Sequence, residues 1–153
     1  MTDIVRILHS VADARALEYH YGKKAALNLL DGTAAQDTGK VYLLHEFTNR
    51  KSQYNSSGTR IENTLYEGKF FLVKHADYTL PFYAETGNPT ETGKYATGIA
   101  PLLQLFALLG NDLACHGLTV TQWENIDVTD ALDANMDGLL CSYTITVPQA
   151  YGN

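Results

Sequence analysis

Basic clusters are missing from this sequence, as are cysteines at metal-binding spacing, glycine-rich phosphate loops and any apolar run long enough to span a bilayer. Lysine and arginine number 11 against 17 aspartates and glutamates, a formal net charge of −6. General nucleic-acid binding needs clustered cations to release counterions from phosphates. The nearest groups, Lys23-Lys24 and Arg50-Lys51, are isolated pairs beside turns. The two cysteines, Cys115 and Cys141, have no metal-type spacing, and no secretory signal precedes the first expected helix, so a reduced cytosolic setting is expected. The longest apolar stretch, Ile99 to Leu109, is well short of the roughly 20 residues that cross a membrane. Neither a GxGxxG pattern nor a P-loop is present, so no nucleotide cofactor is expected.

What is present is an ordinary globular composition. Hydrophobic residues make up 45% and charged residues 18% of 153 positions, a length that suits one domain burying about two-thirds of its unfolded surface. Ten tyrosines stand out. Their flat apolar bodies with polar tips suit subunit contacts, and β-rich proteins also use tyrosine often.

Local patterns predict an α+β fold: a mixed or antiparallel sheet of about five to six strands, with an N-terminal helix and one long apolar helix on it. Residues 2 to 14 read as an amphipathic helix capped by Thr2, with Ile4, Leu8 and Val11 on one face. Tyr19 to Leu30 reads as a strand or hairpin, and Val41 to Phe47 as a central strand with Val41, Leu43, His45 and Phe47 sharing a face. Ile61 to Glu67 and Lys69 to His75 meet at Gly68, which marks either a hairpin corner or a bulge in one long strand. Leu118 to Val128 and Leu139 to Val147 complete the sheet. The long helix spans about Gly98 to Ala114, with Thr97 as its expected cap and a core stripe of Ile99, Leu102, Leu103, Phe106, Leu109 and Leu113. Polar composition predicts long loops near 48–60 and 82–97 within a single domain covering 1–153.

Three constellations could carry chemistry. Asp133, Asn135 and Asp137, followed by Gly138, match the first half of a calcium loop. The closing position falls on Thr144 where a bidentate Glu is needed, and the same residues suit a tight hairpin turn, which is the preferred reading. His75 and Asp77 share a face of an extended segment and could serve a small hydrolase as base and orienter, but no serine or cysteine occupies a nucleophile elbow. Cys115 beside His116 reads as a buried inert thiol, and Trp123 as a core plug. No catalytic residues, cofactor or metal are therefore assigned, and the chain is not expected to be an enzyme.

The order of elements, with a hairpin running from Leu118-Thr-Val-Thr-Gln-Trp123 through Leu132-Asp133 and Gly138 to Tyr143-Thr-Ile-Thr-Val-Pro148, resembles the small tail-terminator or tail-completion proteins of tailed phages, particularly those of gut Bacteroidota. The resemblance implies a virion protein made in the host cytoplasm. It would be a subunit of a head-to-tail connector ring, partnered by itself and by portal, connector or tail proteins, with DNA passing through without specific binding and no membrane involved. Ring closure needs a heterologous interface, one face meeting a different face of the next copy. Phe82, Tyr83 and Tyr95, Tyr54 in the 48–60 loop, and Leu105 and Leu108 off the helix stripe are the residues expected to supply it. A small calcium- or ligand-binding module on the 133–138 loop is the alternative.

Overall fold

A computed structural model describes residues 3–22, 39–75, 93, 95–131 and 136–149. Among them, six strands form one mixed sheet and two α-helices lie against it: α1 (Ile4–Ala14), β1 (Glu18–Tyr21), β2 (Tyr42–His45), β3 (Asn49–Tyr54), β4 (Ile61–His75), α2 (Ala100–Cys115), β5 (Thr119–Ala131) and β6 (Met136–Pro148). The expected α+β class and strand number are both found. The sheet order is β1-β2-β4-β6-β5, with β3 also paired to β4; only the β1–β2 pair is parallel.

β4 is the axis of this sheet. Its register with β6 runs unbroken from Asn63–Pro148 to His75–Met136, so Gly68 is neither a corner nor a bulge of its own strand. The irregularity lies on the opposite edge. His45 pairs with Phe70 and Asn49 with Glu67, so three residues (46–48) face two (68 and 69), one extra residue directly beside Gly68. β2 and β3 are thus two halves of one interrupted strand. The expected loop near 48–60 is corrected accordingly: its first part is β3, and only the tight turn at 55–60 is loop. Pairing with β4 overrides the polar composition of Asn49–Tyr54, which is exposed throughout and therefore has no need of apolar side chains. Asn55 organises the turn, its Oδ1 accepting from the Thr59 amide at 2.9 Å.

The helices cover one face. Asp3, in place of the expected Thr2, caps α1 by accepting from the Val5 amide at 2.9 Å. Thr2 itself lies outside the described residues. Ile4, Ile7, Leu8, Val11 and Ala12 are buried, the 3.6-residue stripe the sequence announces. α2 begins at Ala100 behind a turn of π-helix, Tyr95–Ile99, which takes in Thr97, the expected cap; Ile99 holds the N-cap position and makes no side-chain cap bond. Leu102, Phe106, Leu109 and Leu113 are buried, while Leu103 is only partly so. These stripes join Leu43, Phe70, Leu72, Leu139, Cys141, Ile145 and Val147 in the main core. A bidentate Arg15–Asp112 pair, 2.8 and 2.9 Å, ties the end of α1 to α2. On the opposite face, Tyr42, Leu44, Phe71, Val73 and Met136 form a second, smaller buried cluster. Residues 23–30 of the expected second segment, and 82–92 of the expected second loop, lie outside the described residues.

Gly138 pairs with Val73 at the centre of the sheet. A Cβ there would overlap the Leu72 carbonyl oxygen and approach Val73 Cα at 2.8 Å, both backbone atoms of β4 that have no room to yield. Gly138→Ala should destabilise the fold by about 3 kcal/mol or more, against about 1 kcal/mol for the cap variant Asp3→Ala. Urea denaturation of the two variants checks this ranking.

Candidate functional site

The most tightly organised polar group is buried under α1. His45, fully buried at the end of β2, points to the helical face. Its Nδ1 lies 2.7 Å from the Tyr19 hydroxyl on β1, and its Nε2 lies 2.6 Å from the Tyr143 hydroxyl on β6. β4 stands between β2 and β6, so Tyr143 reaches His45 only by lying across its register partner Gly68. A Cβ at Gly68 would overlap the Tyr143 hydroxyl, reach Cζ at 2.7 Å and crowd Thr48 Oγ1 at 3.1 Å. The extra residue at 46–48 places Thr48 at this spot, where its hydroxyl donates to the Glu67 carbonyl at 3.1 Å. Above the group, His9 of α1 stacks on Tyr19 with centroids 4.9 Å apart and planes at 14°.

Burial pushes His45 down to about 4, the nearby Arg50 charge adding to the effect and Asp3 opposing it. The imidazole is therefore neutral at pH 7, with one N–H to donate and one nitrogen to accept, and the two phenols use both. Burial raises both phenols well above their ordinary range, so each stays protonated. Both nitrogens of the neutral ring are engaged by phenol hydroxyls of the fold. What the trio does is join three strands by hydrogen bonds.

At the rim, Tyr21 lies 5.0 Å from the His45 ring and 5.4 Å from Phe47, centroid to centroid. Arg50 sits over the Tyr66 ring at 5.8 Å and 3.8 Å from Asp3. On the opposite face, Glu46, Glu67, Lys69, Gln122, Ser142 and Thr144 line an open depression of about 650 Å³.

The residues singled out from the sequence are scattered. Asp137 is not in a turn: it stands in β6, 5% exposed and in register with Lys74, while Asp133 and Asn135 lie outside the described residues. His75 is buried at the end of β4 with its ring 5.8 Å from Tyr42, and Asp77 lies outside the described residues. Cys115 is exposed, a correction to the expected buried thiol, because it falls in the last turn of α2 on the side away from the sheet. The buried thiol is Cys141, which burial shifts well above its ordinary range. Trp123 is half-buried, stacked on Phe106 at 4.7 Å and donating Nε1–H to the Phe106 carbonyl at 2.9 Å. Tyr54 is 60% and Leu108 36% exposed. Leu105 and Tyr95 are half-buried against the core, and Phe82 and Tyr83 lie outside the described residues. Phe47, expected to share a face with Val41, Leu43 and His45, is 55% exposed, because the extra residue at 46–48 breaks the alternation. Sequence reasoning missed the trio itself; the only local signal was a histidine on an inward strand position and a glycine inside a long strand.

No protein-family model matches the chain, and no curated protein is detectably similar to it. Among the described residues, no helix is long and apolar enough to cross a membrane, and no three His, Cys, Asp or Glu side chains are grouped to hold a metal ion.

Two measurements test the trio. Gly68→Ala should cost about 2 to 3 kcal/mol by forcing Tyr143 off His45, and less when Tyr143→Phe is already present. The unfolded chain protonates His45 at its ordinary value near 6.5, whereas the folded protein resists until about 4. The resulting stability is full above pH 6.5 and falls as pH drops towards 4, by about 3 kcal/mol. Denaturation midpoints of wild type and His45→Gln between pH 4 and 7 should show the wild-type slope to be the steeper of the two.

Proposed function

We propose that this chain is a structural virion protein, a subunit of a ring in the head-to-tail or tail-terminator region of a tailed phage. The observation that carries the reading is the placement of exposed apolar side chains at two separate ends of the sheet. Tyr21, Phe47 and Tyr54, at 37, 55 and 60% exposure, stand on the β1–β3 side; Ile126, at 62%, stands on β5. Large apolar groups left in water at two distant places suit a heterologous contact, in which each copy offers one patch to the next and the other to the previous. The order of elements and the closing hairpin, which resemble tail-terminator and tail-completion proteins, point the same way. Portal, connector or tail proteins are the neighbours this role implies, and the acidic balance suits a conduit that lets DNA pass.

The buried trio supports a mechanical role over a chemical one. Its hydrogen bonds link β1, β2 and β6 across the sheet and leave no nitrogen open to a substrate. A ring subunit under load benefits from cross-strand ties of this kind.

Mass spectrometry of purified particles of the encoding phage should detect the chain at a copy number comparable to the portal protein. Absence from the particle sinks the reading. Phe47→Ser and Ile126→Ser should change stability by only about 0.5 kcal/mol each, since both side chains are exposed. Both should nevertheless reduce incorporation into particles.

A further inference from the structure

Among the described residues, β5 pairs only with β6 and β3 only with β4, and these two edge strands carry opposite charge. β5, Thr119–Ala131, carries Glu124, Asp127 and Asp130 and has neither Lys nor Arg nor Pro. β3, Asn49–Tyr54, carries Arg50 and Lys51 and no acid. Glu124, Asp127, Arg50 and Lys51 are all exposed. A long open edge lacking lysine or proline is a template for another strand, and proteins that do not use such an edge usually blunt it. Here the register shifts at Val120/Gln122 and Val128/Ala131 leave Gln122–Val128 regular, one residue longer than the 6 residues of β3.

We infer that the β5 edge of one copy pairs with the β3 edge of the next, continuing the sheet from subunit to subunit. Strand direction fixes the orientation. β3 and β6 both run against β4, and β5 runs against β6, so β5 is parallel in direction to β4 and opposite to β3. Copies that continue the sheet in one sense therefore meet antiparallel, and their helical faces stay on one side. Alternation then decides the partners. Lys51 and Glu124 both point to the helix-free face, while Arg50, Asn125 and Asp127 point to the helical face. Placing Lys51 opposite Glu124 sets Arg50 opposite Asn125 and diagonal to Asp127, so each basic residue, which within its own copy already faces Glu67 (Lys51, 3.3 Å) or Asp3 (Arg50, 3.8 Å), meets a second acid on its own face. The same register sets Ile126 opposite Asn49 and brings this exposed apolar side chain under cover of the neighbour. The pairing gives the proposed ring its contact surface and rests on that reading only for closure.

The test uses the full chain at low ionic strength, by sedimentation velocity, with hydrogen exchange read on the same samples. Wild type should associate, and amides within 122–128 and 49–54 should gain protection on association. Lys51→Glu alone, and Glu124→Lys with Asp127→Lys, should each weaken association about tenfold or more, with denaturation midpoints showing both variants folded. Mixing the two variants should restore association, because each then offers the edge the other needs. Variants that associate like wild type, a mixture that does not recover, or a wild type that stays monomeric would overturn the pairing. Electron microscopy separates it from the ring: open filaments with protected β5 amides uphold the edge pairing and remove closure, whereas closed rings with unprotected β5 amides do the reverse.

Discussion

The hydroxyl of Tyr143 lying across Gly68 to reach His45 is the constraint around which the helical side of the sheet is arranged. It needs a residue without a side chain in the middle of the longest strand, an extra residue in the strand beside it, and a buried imidazole at the right depth. Each requirement explains a feature that is otherwise odd. Gly68 weakens β4 locally, yet its place opposite Tyr143 is the only one where a phenol could pass over the strand. The extra residue at 46–48 separates β2 from β3 and brings the Thr48 hydroxyl beside the phenol. A buried histidine is costly when unpaired, and here both nitrogens are satisfied by neutral partners.

The same arrangement separates a core in which the polar groups of the trio are paired from a perimeter that carries exposed apolar and charged side chains. Inside, burial holds Tyr19, His45 and Tyr143 neutral. Outside, aromatic and aliphatic side chains are exposed, and the charged edge of β3 carries ion pairs of its own, Arg50 with Asp3 and Lys51 with Glu67. The exposed apolar side chains lie along both sides of the sheet, at Tyr21, Phe47 and Tyr54 and at Ile126, and on α2 at Leu108.

Much of the architecture is legible in residue order. The stripe Ile4, Leu8, Val11 and the apolar run from Ile99 announce helices because their spacing matches 3.6 residues per turn. The closing strand ends at Pro148 as its β-branched run implies. Composition misleads where pairing decides: Asn49–Tyr54 is polar at every position but one and is nevertheless a strand, because backbone hydrogen bonds to β4 need no apolar side chains at an exposed edge. The exposure of Cys115 and the burial of Cys141 follow from which way a helix turn and a strand face, which the sequence does not state.

By itself the sequence determined the α+β class, the two helices and the amphipathic faces, since these follow from periodicity within a dozen neighbouring residues. Only the tertiary structure decided the trio, because Tyr19, His45 and Tyr143 are separated by 26 and 98 positions and meet through strand order and register. It likewise decided which strands are left at the edges. A strand's neighbours are set by long-range pairing, and no local pattern of side chains encodes which of its two backbone edges will remain open.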